Sequence, residues 1–388
     1  MGLLELQLCS GVCLARKREI IANAAHVGRS KQLNQGVLAM VKSQTLLIGL
    51  SLFLSVITSG LVTASNANAA AFVRGEVEVR DAEGKIDRRI YTEISRGAKE
   101  APVVVLLNGL IYDITRWAPV AKRLAAHNLT VVRMSFSPQP ESLLLMEANE
   151  SPAFVRRGLE LSVLADDVSK VLNYHRISKP VTLVGLSYGG TVATEFAKLH
   201  PSKVKNLVLL SPLVVPLDTY QAASAPLRSM LDGVRFWEDA SCAAYGWVNP
   251  YLCTAKDFWY DSVYNYFYEN YLNVRVAKTP EGIEPALYKK AVFQLVRATR
   301  SYDLKEDIAK VKNIHLVIAG EEEPNLKADQ LKVWALAPKR AKRSLAEFTG
   351  VKHALPDEAP LNTANWIEDI ANGDASLQSG DEFIVEGK

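Results

Sequence analysis

Cysteine is scarce in this chain. Only 4 occur in 388 residues, at positions 9, 13, 242 and 253, and none forms a CxxC pair or shares a zinc-ligand spacing with histidine. That composition points away from a metal centre and away from a disulfide-stapled mini-fold. Charge of one sign is also lacking. The formal net charge is +3, too small to imply nucleic acid or an anionic membrane as partner. There is no internal repeat, and no low-complexity tract outside the two ends. Apolar residues make up 48% and charged residues 22%, the balance of an ordinary globular protein long enough for one large domain or two smaller ones.

One long uncharged run breaks this even composition. "LLIGLSLFLSVI", from Leu46 to Ile57, follows Lys42 and precedes "TASNANAAAF", in which Ala67-Asn68-Ala69 is a small-x-small site. This is the three-part pattern of a secretory signal peptide, with cleavage expected near Ala69–Ala70. Met40 opens "MVKSQTLLIGL", a well-proportioned start. The expectation is that residues 1–39 are a mis-assigned extension and residues 40–69 the signal peptide. The mature chain is then secreted or periplasmic, with no stable membrane anchor. The alternative is an uncleaved anchor, since the run reaches about Ala64, near the roughly 20 residues needed to span a bilayer. Ser, Thr and Gly dilute it. In an oxidising compartment Cys242 and Cys253 can close a short loop worth about 2–3 kcal/mol, the alternative being two free thiols.

The mature chain alternates. Phe72–Arg80 and Arg88–Ile94 read as antiparallel strands joined through Gly84. "PVVVLL" (Pro102–Leu107) is a continuous apolar run, the pattern of a strand covered on both faces. Thr115–His127 reads as a helix, Leu129–Phe136 as a strand, Ser137–Phe154 as a proline-bearing loop and Val155–His175 as a helix. Strand Pro180–Leu186, helix Tyr188–His200 and strand Val204–Leu210 follow. From Ser211 to about Val311 the alternation stops. This stretch reads as mostly helical and holds "FWYDSVYNYFYENYL". Strand Ile314–Ala319, helix Asn325–Leu336, strand Lys342–Phe348 and helix Thr363–Ala371 complete the pattern, and a polar tail follows. The reading is an α/β fold: a mostly parallel eight-stranded sheet with helices on both faces and a helical lid inserted between strands 6 and 7. Its parts are core 70–214, lid 215–312, core 313–371 and tail 372–388.

The sharpest signal is "GLSYG", Gly185 to Gly189. It follows a strand and opens a helix. A serine on such a turn takes strained backbone angles and pushes its hydroxyl above the carboxyl ends of the strands. Side chains two before and two after would collide, so glycine is required there. The Tyr188 N–H, at a helix N-terminus, is placed to hold a developing oxyanion. A serine is a weak nucleophile without a base, and the base needs an acid to hold its tautomer. His353 lies in "FTGVKHALPDEAP", after the last strand, and Glu321, Glu322 and Glu323 lie at the carboxyl end of Ile314–Ala319. A second oxyanion donor belongs in the loop after the third strand, where Asn108-Gly109-Leu110 stands. His127, His175, His200 and His315 sit in or beside helices and strands and read as packing or surface residues.

With nucleophile, acid and base in that chain order, residues 72–371 resemble the α/β-hydrolase superfamily, in its lid-bearing lipase, esterase and aminopeptidase branch. The resemblance implies the triad Ser187, Glu323 and His353. The family's acid usually stands three residues after the glycine closing its strand, and Gly320 leads to Glu323. Glu322 is the next choice, then Asp218 after the preceding strand. The implied oxyanion donors are the N–H groups of Tyr188 and Leu110. Two departures stand out. Asn108-Gly109 replaces the family's common His-Gly, and "SFSPQPES" replaces the aspartate and Gly-rich turn usual after the fourth strand. A serine in place of aspartate at 187 speaks against dehalogenases and epoxide hydrolases.

The resemblance therefore implies a serine hydrolase of small-molecule carboxylic esters, acting without a cofactor through an acyl-enzyme. Asn108, Gly109, Tyr264 and Tyr268 are expected to line the substrate. Tyr264, Tyr268 and Tyr271 share helical spacing, so one face can serve the pocket and the other the lid core. Asp261 and Glu269 would bind an amine if the enzyme were an aminopeptidase; otherwise they are solvated. Other readings stay open: an aminopeptidase, thioesterase or acyltransferase on the same triad, or a non-catalytic ligand-binding protein on this scaffold. Oligomeric state is not legible.

Overall fold

A computed structural model describes residues 71–147, 150, 152, 154–155, 158–216, 233–234, 236–237, 240–244, 248, 279–300, 302–339, 342–378 and 380–387. The centre is one sheet in the order β1-β2-β4-β3-β5-β6-β7-β8-β9. The strands are β1 Val73–Arg80, β2 Ile86–Ser95, β3 Val103–Leu107, β4 Thr130–Ser135, β5 Val181–Leu186, β6 Val204–Leu210, β7 Ile314–Ala319, β8 Arg343–Thr349 and β9 Glu382–Glu386. β1 pairs antiparallel with β2, and β2 antiparallel with β4. Every later pair is parallel.

The strand period of two explains why the central strands read as unbroken apolar runs. Val103, Val105 and Leu107 face the helices Leu161–Tyr174 and Tyr188–Leu199. Val104 and Leu106 face the opposite layer, with Trp117, Leu124 and Ile367. Both sides of β3 are thus buried, and the same split recurs in β5 and β6, where Leu183, Leu207 and Leu209 face one layer and Val184, Val208 and Leu210 the other.

Three sequence expectations need correction. The sheet has nine strands, not eight. The ninth comes from the tail expected to be loose: Glu382–Glu386 pairs parallel with Leu345–Thr349. In "EFIVE" only Phe383 and Val385 turn inward, packing on the Trp366 layer. Two inward residues among acidic neighbours are too few to stand out as a strand.

The helix expected from Val155 starts at Leu161 instead. Gly158, at φ +78°, reverses the chain before it, a conformation that ends any continuous helix. The loop expected over 137–154 contains a short helical turn, Pro140–Leu143.

Both faces of β2 are buried, its charged residues included. Arg88 bonds Asp167 at 2.6 Å and Asp166 at 2.9 Å. Arg89 bonds Glu150 at 2.7 Å, Glu78 at 3.1 Å and Glu76. Arg133 bonds Glu93 at 2.7 Å. Desolvation is offset here by opposite charge, so β2 keeps an alternating text while lying inside. Between β6 and β7 the described part of the insertion includes the helix Pro285–Ala298, which packs into the first core layer. Tyr264, Tyr268, Tyr271, Asp261, Glu269 and Asp218 lie outside the described residues. Among the described residues no helix is long and apolar enough to cross a membrane.

Candidate active site

β5 ends at Leu186, and the helix Tyr188–Leu199 begins one residue later. Ser187, between them, adopts φ 51° and ψ −113°. A residue with a Cβ seldom holds a positive φ, so the conformation is imposed by its surroundings. Its own N–H donates to Leu210 O at 2.9 Å, and Gly190 N–H donates to its carbonyl at 2.9 Å.

The flanking glycines have the reason the sequence suggests. A Cβ on Gly185 would lie 2.5 Å from Gly190 N, within the turn itself. A Cβ on Gly189 would lie 2.6 Å from Asn108 O. The second clash shows that the helix start is pressed against the end of β3, bringing the Asn108–Leu110 loop beside the serine turn. Ser187 is half-buried, whereas Tyr188 is fully buried. As the first residue of its helix, Tyr188 has an N–H without an intrahelical acceptor.

His353 and its carboxylate partner come from neighbouring loops. Gly320 N–H donates to Phe348 O at 2.8 Å and Glu321 N–H to Val351 O at 2.9 Å, extending the β7–β8 pairing into the loops beyond. There His353 Nδ1 meets Glu322 Oε2 at 2.6 Å. The Glu322 side chain is 4% exposed and that of His353 40%.

Glu323, the acid expected from the family spacing, does not hold His353 in this arrangement. It caps the helix Pro324–Leu336, accepting from Leu326 N–H at 2.8 Å and from Asn325 Nδ2 at 2.9 Å. The spacing is one residue shorter than expected because Pro324 and Asn325 start a helix that takes the third glutamate as its N-cap. Glu321 is exposed.

Burial pushes the Glu322 carboxyl up, but the hydrogen bond and charge of His353, with the Glu323 N–H and the Ser211 hydroxyl, outweigh it. Its pKa ends below the ordinary glutamate value. Ser211 was not singled out in the sequence. It closes β6 at φ 40°, fully buried, with its Oγ also accepting from Ala319 N–H at 3.2 Å.

Of the other histidines, His315 and His175 are buried in the sheet layers against Ser344 and Thr92. His127 pairs with Glu368 at the surface, and His200 lies 3.3 Å from Ser169 Oγ. None of these contacts involves the site. Asn108 and Gly109 are buried in the β3 loop, and Leu110 is half-buried. No group of three or more His, Cys, Asp or Glu side chains with a metal-binding arrangement occurs among the described residues. Cys242 is disulfide-bonded, while Cys253 lies outside the described residues.

Comparison with known proteins bears on the fold. The family described as "alpha/beta hydrolase fold" matches residues 102–237. No curated protein matches the chain. Similar solved structures include an alpha/beta hydrolase enzyme from a Medee basin deep-sea metagenome library, 17% identical, covering 75% of this chain and 96% of its own, with TM-score 0.49. An esterase from Exiguobacterium antarcticum is 17% identical, covering 76% and 99%, with TM-score 0.49. A hydrolase from Pseudomonas aeruginosa PA01 is 16% identical, covering 80% and 100%, with TM-score 0.48. The family match runs from β3 through the serine turn and β6, and the sheet continues in parallel to β9, so the chain has the alpha/beta-hydrolase fold.

Proposed function

We propose that the protein is a serine hydrolase that cleaves carboxylic esters of small molecules through an acyl-enzyme. The observation that carries this reading is the strained Ser187 turn, φ 51°, built on the same sheet margin as the 2.6 Å His353–Glu322 pair. A positive φ at a non-glycine residue is held only where the surroundings enforce it. A carboxylate on Nδ1 leaves Nε2 as the proton acceptor.

In this reading Ser187 Oγ attacks the ester carbonyl while His353 Nε2 takes its proton. The carbonyl oxygen becomes an oxyanion, held by the N–H groups of Tyr188 and Leu110. The tetrahedral intermediate collapses, and His353 returns the proton to the leaving alcohol. Water, deprotonated by His353, then attacks the acyl-enzyme; the Ser187 Oγ–acyl bond breaks, His353 returns the proton to Ser187 Oγ, and the acid is freed. Glu322 keeps the imidazole in its tautomer and stabilises the imidazolium. Losing one oxyanion donor would cost on the order of 10²–10³ in rate. No step calls for a cofactor.

Export through cleavage near Ala69–Ala70 is part of the same proposal. The disulfide at Cys242 supports an oxidising compartment. N-terminal sequencing of the exported chain tests it. The catalytic reading is tested by labelling the purified mature chain with a fluorophosphonate probe, beside Ser187→Ala and His353→Ala. Labelling of the wild type alone, followed by turnover of p-nitrophenyl esters, is expected. A folded wild type that neither labels nor turns over any ester sinks the reading and leaves a ligand-binding protein on this scaffold.

A further inference from the structure

The loop after β4, "SFSPQPES", departs from the pattern of the superfamily the sequence resembles, and the function proposed above leaves it without a role. Its central residue, Gln139, is 1% exposed. A buried primary amide is costly unless its polar atoms are bonded. Both ends of this one are. Oε1 accepts from Phe136 N–H at 2.9 Å and from Asn108 Nδ2 at 3.3 Å. Nε2 donates to Gly109 O at 2.7 Å, with Leu110 O at 3.4 Å. The polarity is unambiguous, because a backbone N–H can only donate and a backbone carbonyl can only accept.

The bond to Gly109 O matters because of what shares its peptide. The Gly109 carbonyl and the Leu110 N–H belong to one planar trans unit, so the two bonds point in opposite directions. Anchoring the carbonyl on one side fixes where the N–H points on the other. The same carbonyl also accepts from Tyr112 N–H at 3.3 Å, which closes the turn but leaves its tilt to the stronger, shorter bond. Neighbouring bonds fix the rest of the segment: Ile114 N–H donates to Glu141 Oε1 at 3.0 Å, and Arg133 Nη1 donates to Ile114 O at 3.1 Å. Glycine at 109 lacks the side chain that would otherwise restrict this peptide, so an external anchor is needed.

We propose that Gln139 is a positioning residue that sets the orientation of the Gly109–Leu110 peptide, and through it the Leu110 N–H as an oxyanion donor. The inference rests on the serine-hydrolase reading. Gln139 touches no substrate atom. It acts only through the peptide that it holds.

The test compares Gln139→Met and Gln139→Glu with the wild type, using p-nitrophenyl butyrate and an alkyl trifluoromethyl ketone, which forms a tetrahedral oxyanion adduct. Gln139→Met keeps the volume and loses every bond. Gln139→Glu keeps the acceptor for Phe136 N–H and loses the Nε2 donor. Ser142→Ala is the control: its Oγ donates to Ser135 O at 2.6 Å and accepts from Tyr91 N–H at 2.9 Å, within the same loop but away from the peptide. Both Gln139 variants are expected to lose about 10–100-fold in kcat, short of the full loss of a donor, with KM within twofold. Their affinity for the ketone should fall in parallel with kcat/KM. Ser142→Ala should lower the melting temperature without moving kcat. If one Gln139 variant does not fold, the other decides. Wild-type kcat in a folded Gln139 variant, or an equal loss in Ser142→Ala, overturns the inference. A wild type without turnover or labelling overturns the hydrolase reading instead, and the inference with it.

Discussion

Replacing Glu322 by glutamine separates the two adjacent glutamates and tests the site at one atom. The structure dictates how the amide would sit. Glu322 Oε1 accepts from Glu323 N–H at 3.0 Å, and Oε2 faces His353 Nδ1 at 2.6 Å. A backbone N–H cannot accept, so the oxygen of the new amide must take the Oε1 position. Its NH2 group then faces Nδ1 and can only donate to it. That forces the imidazole proton onto Nε2, the atom that receives the serine proton in the proposed mechanism. The hydrogen bond survives but the tautomer is wrong, and the loss expected is about 10³–10⁴ in kcat, or roughly 4–5.5 kcal/mol of transition-state stabilisation. Glu322→Asp keeps the charge at a longer reach and should lose less. Glu323→Gln should leave kcat within about twofold, because its carboxylate caps the helix Pro324–Leu336 through Leu326 N–H; the cost there is stability, of the order of 1 kcal/mol. The assay is kcat and KM on a p-nitrophenyl ester, with thermal melts beside it. A rate loss in Glu323→Gln matching that in Glu322→Gln would refute the assignment, since it would mean that the third glutamate reaches the base during turnover.

Three further outcomes are expected. Gly185→Ala puts a Cβ 2.5 Å from Gly190 N, and should cost about 3 kcal/mol or more and abolish fluorophosphonate labelling. Gly84→Ala, at φ +79° in open space, should cost only about 1 kcal/mol of backbone strain in a urea melt; equal losses would show that the serine turn is not tightly packed. Arg88→Met leaves Asp167 fully buried without its 2.6 Å partner and should destabilise by about 3–5 kcal/mol in urea, with Arg88→Met/Asp167→Asn recovering most of it; no recovery in the double variant would count against an uncompensated charge as the cause. Burial holds His175 and His315 at about 4, aided at His175 by the charge of Arg96. The unfolded chain takes up these protons near pH 6.5 and the folded chain does not, so stability is full above that pH and declines between roughly 6.5 and 4, by up to about 3 kcal/mol per histidine. A stability profile flat from pH 7 to 5 would contradict it.

The local text of the chain was enough for the central strands, because residues buried on both faces must be apolar at every position. β3, β5, β6 and β7 were legible for that reason. The serine turn was equally legible. Its requirements are local: three glycines and one hydroxyl within six residues, between a strand and a helix. His353 was singled out as the histidine in the loop after Lys342–Phe348, and the structure sets it against Glu322 beyond β8.

Where two distant segments had to meet, local text was silent. The choice between Glu322 and Glu323 depends on which carboxylate the Pro324–Leu336 helix takes as its cap and which faces His353, 31 residues away. Ser211 and Gln139 carry no pattern of their own, since their roles lie in groups across the sheet. The alternation along β2 records polarity, and cannot tell a charge in water from Arg88 paired with Asp167 inside. β9 was missed because an edge strand buries one face only, and five residues place just two side chains there. Short-range sterics and hydrophobic period therefore determined, from sequence alone, the sheet's centre and the strained turn at Ser187. Long-range pairing of polar groups, which costs free energy unless both partners arrive together, was decided only by the tertiary structure.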